Sequence, residues 1–96
     1  MKTFKNQDTQ ITDDGGEEFF MFSNLAVICV KYIPQGGLDL EDMDTRLKLF
    51  RKLSTHSSTI SLEDSEAKKL KECVNKYRWA MIHDDLISFG NYVKEF

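Results

Sequence analysis

Apolar residues recur at helical spacing through the second half of the chain. Ala67, Leu70, Val74, Tyr77 and Met81 step by three and four, which draws one apolar stripe along a helix spanning Ser61 to Trp79. Ser61 is an N-cap residue for this helix, and Asp64 stands three positions on in place of the Glu or Gln of a capping box. Trp79, the only tryptophan, falls outside the stripe. At about 100° per residue it lies roughly opposite Leu70.

The first 22 residues alternate differently. Asp8–Thr12 and Glu17–Phe22 flank Asp13-Asp14-Gly15-Gly16, a turn-forming cluster, so a β-hairpin is expected over 1–22. Phe20 and Phe22 share one strand face, Phe19 and Met21 the other, which leaves an apolar outward side. From 23 to 96 the pattern is helical. Ser23 or Asn24 caps a helix that Pro34 stops; β-branched residues between them also permit a strand, but capping and length favour the helix. Pro34-Gln35-Gly36-Gly37 is a break. Asp39 caps a helix from Leu40 to about Ser54, with Leu40, Met43, Leu47 and Phe50 as its core stripe. Leu49 lies roughly opposite and Leu53 to one side, so that helix is touched on two sides, by its own fold or by another chain. Thr55–Thr59 reads as a polar loop, with Ile60 as a hydrophobic staple. Asp84 opens a last helix with Leu86, Phe89, Val93 and Phe96 on one face. Gly90 inside it is a weak point, or a place where another backbone comes close. The expectation is one α+β domain over 1–96, mainly α, with an N-terminal hairpin and about four short helices packed as a small bundle.

Composition narrows the function. Ninety-six residues support one modest core and leave little room for an internal active-site cavity. The net charge of −3 argues against a general phosphate-backbone binder. Three Lys face nine acids in 1–45, and ten bases face seven acids in 46–96. Such a split can present an acidic patch to a basic partner, but acidic starts and basic ends of the helices, which suit the helix dipole, account for it more simply. No apolar run is long enough to span a bilayer, and the longest lies too far into the chain for a signal peptide, so no membrane is expected. Cys29 and Cys73 show no framework spacing and read as buried hydrophobes in a reducing compartment, with a disulfide between them the alternative.

No motif carries chemistry. His83-Asp84-Asp85 reads as a helix start rather than an acid–base cluster. His56, His83, Cys29 and Cys73 are not at zinc spacing, and Gly15-Gly16 and Gly36-Gly37 are turn glycines. No catalytic residue, cofactor or metal is expected. Lys68, Lys69, Lys71, Lys76 and Arg78 form a basic window beside aromatics, as on nucleic-acid stacking platforms. Tyr77-Arg78-Trp79 combines the three residue types that dominate protein-binding hot spots. The alternative is that the helix ends near Arg78 and Trp79 turns into the core with Ile82.

Gly36-Gly37-Leu38-Asp39-Leu40-Glu41-Asp42-Met43, Leu62-Glu63-Asp64 and Arg78-Trp79 together give the chain, over about Ile11 to Val93, a resemblance to small accessory proteins of tailed bacteriophages and prophages. The resemblance implies a non-enzymatic protein, either a neck or tail component or assembly factor, or an inhibitor of a host defence or host enzyme. It places the chain in the bacterial cytoplasm or the virion. The leading expectation is therefore a protein-interaction module in virion assembly or a ring-forming structural subunit, pairing with other proteins or with copies of itself. Its expected contact residues are Tyr77, Arg78, Trp79, Leu49, Leu53, Phe19 and Met21. A small acidic inhibitor comes second, and a nucleic-acid-binding regulator using the basic window third.

Overall fold

The computed structural model describes residues 1–12, 16 and 19–96. In chain order they form β1 (Lys2–Lys5), β2 (Asp8–Thr12), β3 (Phe19–Met21), α1 (Phe22–Lys31), α2 (Leu40–Leu53), β4 (Thr59–Leu62), α3 (Asp64–Lys76) and α4 (Asp84–Lys94). The α+β, mainly α class is as the pattern predicts. The hairpin is present: β2 pairs antiparallel with β3, from Asp8 opposite Met21 to Thr12 opposite Phe19, with a register shift between. The expected turn lies outside the described residues except for Gly16, whose φ of 67° is left-handed. So do Glu17 and Glu18, the first residues of the expected second strand.

The remaining two strands are unexpected. β1 pairs antiparallel with β4, Lys2 opposite Leu62 and Lys5 opposite Thr59. This corrects two expectations. Residues 1–22 are not all hairpin, and Ile60-Ser61-Leu62 is strand rather than staple and cap. Ile60 and Leu62 are buried while Thr59 and Ser61 are exposed, the period-2 alternation of a half-buried strand. Phe4 brings β1 into the core, where its ring meets Tyr92 and Phe96 edge-on at 5.6 and 6.0 Å.

Because β4 takes Ser61, α3 starts two residues later than expected. Glu63 is its N-cap, and Glu66 closes the box: its Oε1 accepts from the Glu63 backbone N–H at 2.7 Å and from Lys52 Nζ at 2.6 Å. Of the expected stripe Ala67 and Leu70 are buried and Val74 and Tyr77 are half-buried; Cys73, outside the stripe, is buried beside them. The helix ends at Lys76, so Met81 is not on it and is exposed.

Residues 23–31 are helical, settling the strand alternative. Phe22, expected beside Phe20 on the second strand, instead opens α1, and with Leu25, Ala26, Cys29 and Val30 it buries one face of that helix. Asn24 accepts from the Met21 N–H at 2.8 Å and so acts from inside the first turn, not as the cap residue. Ser23 has another use. Its fully buried hydroxyl accepts from Asn6 Nδ2 at 2.9 Å and lies 2.6 Å from His56 Nδ1, which ties the β1–β2 link, α1 and the α2–β4 loop together.

Helix α2 has the expected cap, Asp39 accepting from the Asp42 N–H at 2.7 Å, but presents the opposite face to the core. Leu49 and Leu53 are completely buried, whereas Leu40 is 81% exposed and Met43 and Leu47 are also exposed. Arg46 supplies the reason. It shares the Leu49–Leu53 face, and its guanidinium donates to the Val30 and Tyr32 carbonyls at 3.1 and 2.9 Å. The inward face of α2 therefore fills the core and also satisfies carbonyls at the α1 C-terminus. Phe50, at the end of the expected stripe, does pack against the core.

Helix α4 forms as read. Leu86, Phe89 and Val93 are buried, Phe96 is packed at the edge, and His83 caps the helix by accepting from the Asp85 N–H at 3.0 Å.

Candidate interaction surfaces

Tyr77 ends α3 in an extended conformation, its N–H still bonded to the Cys73 carbonyl at 3.1 Å. The chain then leaves the helix, and Trp79 turns toward α4. Its ring is half-buried. It meets Tyr77 edge-on with centres 4.6 Å apart and approaches core Phe89 at 6.4 Å. Tyr77 in turn meets Tyr32 at 5.5 Å. One side of Trp79 is thus core packing and the other is accessible; the ring turns inward as the core alternative expects, but Ile82 does not go with it and is fully exposed. Arg78 between the rings is exposed.

Tyr77 and Trp79 stand between two open cavities. One, of about 520 Å³, is a groove between α3 and α4 lined by Val74, Val93 and Gly90, with Lys71 and Lys94 among the residues at its edge. The other, of about 190 Å³, is apolar and is lined by Phe20, Leu25, Ile28 and Met81. Beyond it Ile82 is fully exposed. The hairpin reaches this region through Phe20. Phe19 is exposed but does not line either cavity, and Met21 is half-buried with its sulfur 3.7 Å from the Asn6 amide.

Leu49 and Leu53 are not contact residues for a partner: both are completely enclosed by the fold, for the reason Arg46 supplies. The exposed part of α2 is instead Leu40, Met43 and Leu47, which the periodicity assigns to the core. Nothing in the spacing alone distinguishes the two faces of α2. The second role of Arg46 does, and it needs the position of α1.

The basic window is partly consumed. Lys69 pairs with Asp42 at 3.1 Å and Glu72 at 3.2 Å, while Lys68, Lys71, Lys76 and Arg78 stay exposed. The hydrogen bond to Asp42 raises the Lys69 pKa against partial burial, with Glu72 adding to it. For Asp42 desolvation pushes upward, but the bonds from Lys69 and Arg46 outweigh it and hold the carboxyl below its ordinary range. Cys29 and Cys73 are both buried and free. Burial first, and then the neighbouring Cys73, pushes the Cys29 thiol from 9.0 up to about 12. Among the described residues no cluster of three His, Cys, Asp or Glu is placed to hold a metal, and no helix is long and apolar enough to cross a membrane.

Ser23 and His56 form the one close pair of a hydroxyl and an imidazole among the described hydrogen bonds, but the serine oxygen has no exposure. As it stands the pair is a clamp between three segments. The fold and its surface thus define a small α+β protein whose described residues include exposed apolar side chains on α2 and around Trp79. Comparison with known protein families, with curated proteins and with solved structures finds no match to this chain.

Proposed function

We propose that the chain is a non-enzymatic protein-interaction module serving as a small structural or assembly subunit of a phage virion, of neck or tail type. One observation carries the reading. Two apolar surfaces lie on different elements: Leu40, Met43 and Leu47 on α2, and Trp79, Met81 and Ile82 after α3. Large exposed apolar residues gathered in this way mark contact sites. Two unlike surfaces on one small chain suit a subunit held between neighbours, since contacts made by different patches build rings and filaments. The resemblance to phage accessory proteins supplies the setting.

The test is incorporation. Tagged chain, expressed during phage production, is followed by mass spectrometry into purified virions and assembly intermediates. The wild-type chain is expected in one of these, and Ile82→Asp or Leu40→Asp, both at exposed positions, is expected to reduce its incorporation. A chain absent from every particle, and bound instead as a monomer to one host protein, would reject the structural role and support the inhibitor.

A further inference from the structure

The α3–α4 groove and the outer stripe of α2 are complementary. The groove, at about 520 Å³, falls within the range of about 300–1,000 Å³ typical of ligand pockets. Val74, Tyr77, Trp79 and Val93 give it an apolar strip, flanked by the polar Asn75 and Asn91. Lys71 and Lys94 border it, and neither forms an ion pair with another described residue. Glu72 also borders it, but Lys69 holds that carboxylate at 3.2 Å. Gly90 lies inside α4 on the groove wall. A Cβ added there would meet nothing within 4 Å, so the packing of α4 does not require glycine. A glycine inside a helix weakens it, and the space it leaves admits the close approach of another backbone.

The stripe on α2 fits that space. Leu40, Met43 and Leu47 stand at i, i+3 and i+7, the spacing by which an amphipathic helix anchors in a groove. From Leu40 to Leu47 the stripe runs about 10 Å, and the α3 wall from Lys71 to Tyr77 runs about 9 Å. Exposed Asp39 stands at the N-terminal end of the stripe, an acid to match the two lysines, although it also caps α2 by accepting from the Asp42 N–H. Glu41 faces the crevice toward Lys68 and Lys69 of α3. Lys48, next to Leu47, is already paired with Asp44 at 3.1 Å. The stripe cannot reach the groove of its own chain, because the opposite face of α2 is packed into the core.

We propose that the chain self-associates head to tail, the Leu40–Met43–Leu47 stripe of one copy docking in the α3–α4 groove of the next. This rests on the reading of the chain as an interaction module and names a second copy as one partner. The two surfaces differ, so the contact is heterologous and propagates to a ring or filament.

The experiment is sedimentation velocity on the full chain over a concentration series. The apparent mass is expected to rise beyond twice the 11.2 kDa of one copy. Two variants each remove one surface. Leu40→Asp with Met43→Asp removes the stripe at exposed positions, and Gly90→Leu fills the groove without lowering the melting temperature. Each variant alone is expected to be monomeric. Mixed, they retain one intact stripe and one intact groove, and are expected to form a one-to-one dimer that goes no further. Emission from Trp79, the only tryptophan, is expected to shift on mixing. Lys71→Glu with Lys94→Glu is expected to weaken wild-type association on the order of tenfold. A wild-type chain that stays monomeric throughout overturns the proposal, as does an oligomer that survives either variant, or a mixture that forms no dimer. A monomer that still enters virions removes self-docking alone. An oligomer that enters no particle removes the virion role alone.

Discussion

The ring of Trp79 meets the ring of Tyr77 edge to face, with centres 4.6 Å apart and planes inclined at 72°. Since Trp79 also stands at 88° to Phe89 of α4, the segment after α3 is anchored to the core by aromatic contacts. Full truncation of a core aromatic costs about 3–5 kcal/mol, but this ring is half-buried. Trp79→Ala is therefore expected to cost about 2 kcal/mol in urea unfolding. Trp79→Phe should recover much of that, because an edge-on aromatic pair contributes about 0.5–1.5 kcal/mol beyond its buried area. If Trp79→Ala leaves the unfolding midpoint unchanged, the ring has no part in holding the segment.

Helix α2 permits a paired comparison on one element. Leu49 is completely enclosed, so Leu49→Ala should cost about 2–5 kcal/mol. Leu40 is 81% exposed, so Leu40→Ala should stay within about 0.5 kcal/mol. Thermal unfolding of the two variants side by side decides which face is inward. Equal losses would restore the stripe that periodicity favours.

The start of α3 can be located in the same manner. Ser61 is an exposed strand residue, so Ser61→Ala should change stability by no more than about 0.5 kcal/mol. Glu66 accepts two hydrogen bonds and is almost fully buried, so Glu66→Ala should cost about 2 kcal/mol. Glu66→Gln keeps an acceptor for the Glu63 N–H and should lose less. A large effect at Ser61 with none at Glu66 would return the cap to Ser61.

These contrasts show what local pattern could and could not reveal. The α+β class, α1, the Asp39 cap and the face of α4 follow from signals within a few residues of each other. The pairing of β1 with β4 brings Lys2 opposite Leu62, and Lys-Thr-Phe-Lys contains a single apolar residue. Nothing near either strand announces the other. The orientation of α2 hinges on Arg46 reaching carbonyls of α1, again a distant partner. At the candidate site, Tyr77 and Trp79 were legible as unusual residue types, and Gly90 as a weak point. Their convergence on one groove needs α3 and α4 to pack together. Leu40, Met43 and Leu47 were legible as a stripe, but whether a helical stripe faces inward is decided by its competitors on the same helix.

The buried thiols give a pH dependence of definite sign. Burial, with Cys73 beside it, raises the Cys29 pKa from 9.0 to about 12 in the folded chain. The folded state therefore holds its proton where the unfolded state releases it. This contribution is constant below pH 9.0 and is lost progressively as pH climbs toward about 12. Urea midpoints measured along that range should fall for the wild-type chain. Cys29→Ala removes the contribution and leaves every other group in place, so its midpoints should fall less steeply. The same shift governs reactivity. Below pH 9.0 the buried Cys29 thiol stays protonated, and the thiolate is the nucleophile. Iodoacetamide should modify Cys29 in the native chain only as fast as the fold opens, while urea-unfolded chain reacts at both cysteines. Rapid labelling of native Cys29 would contradict its burial on the inward face of α1.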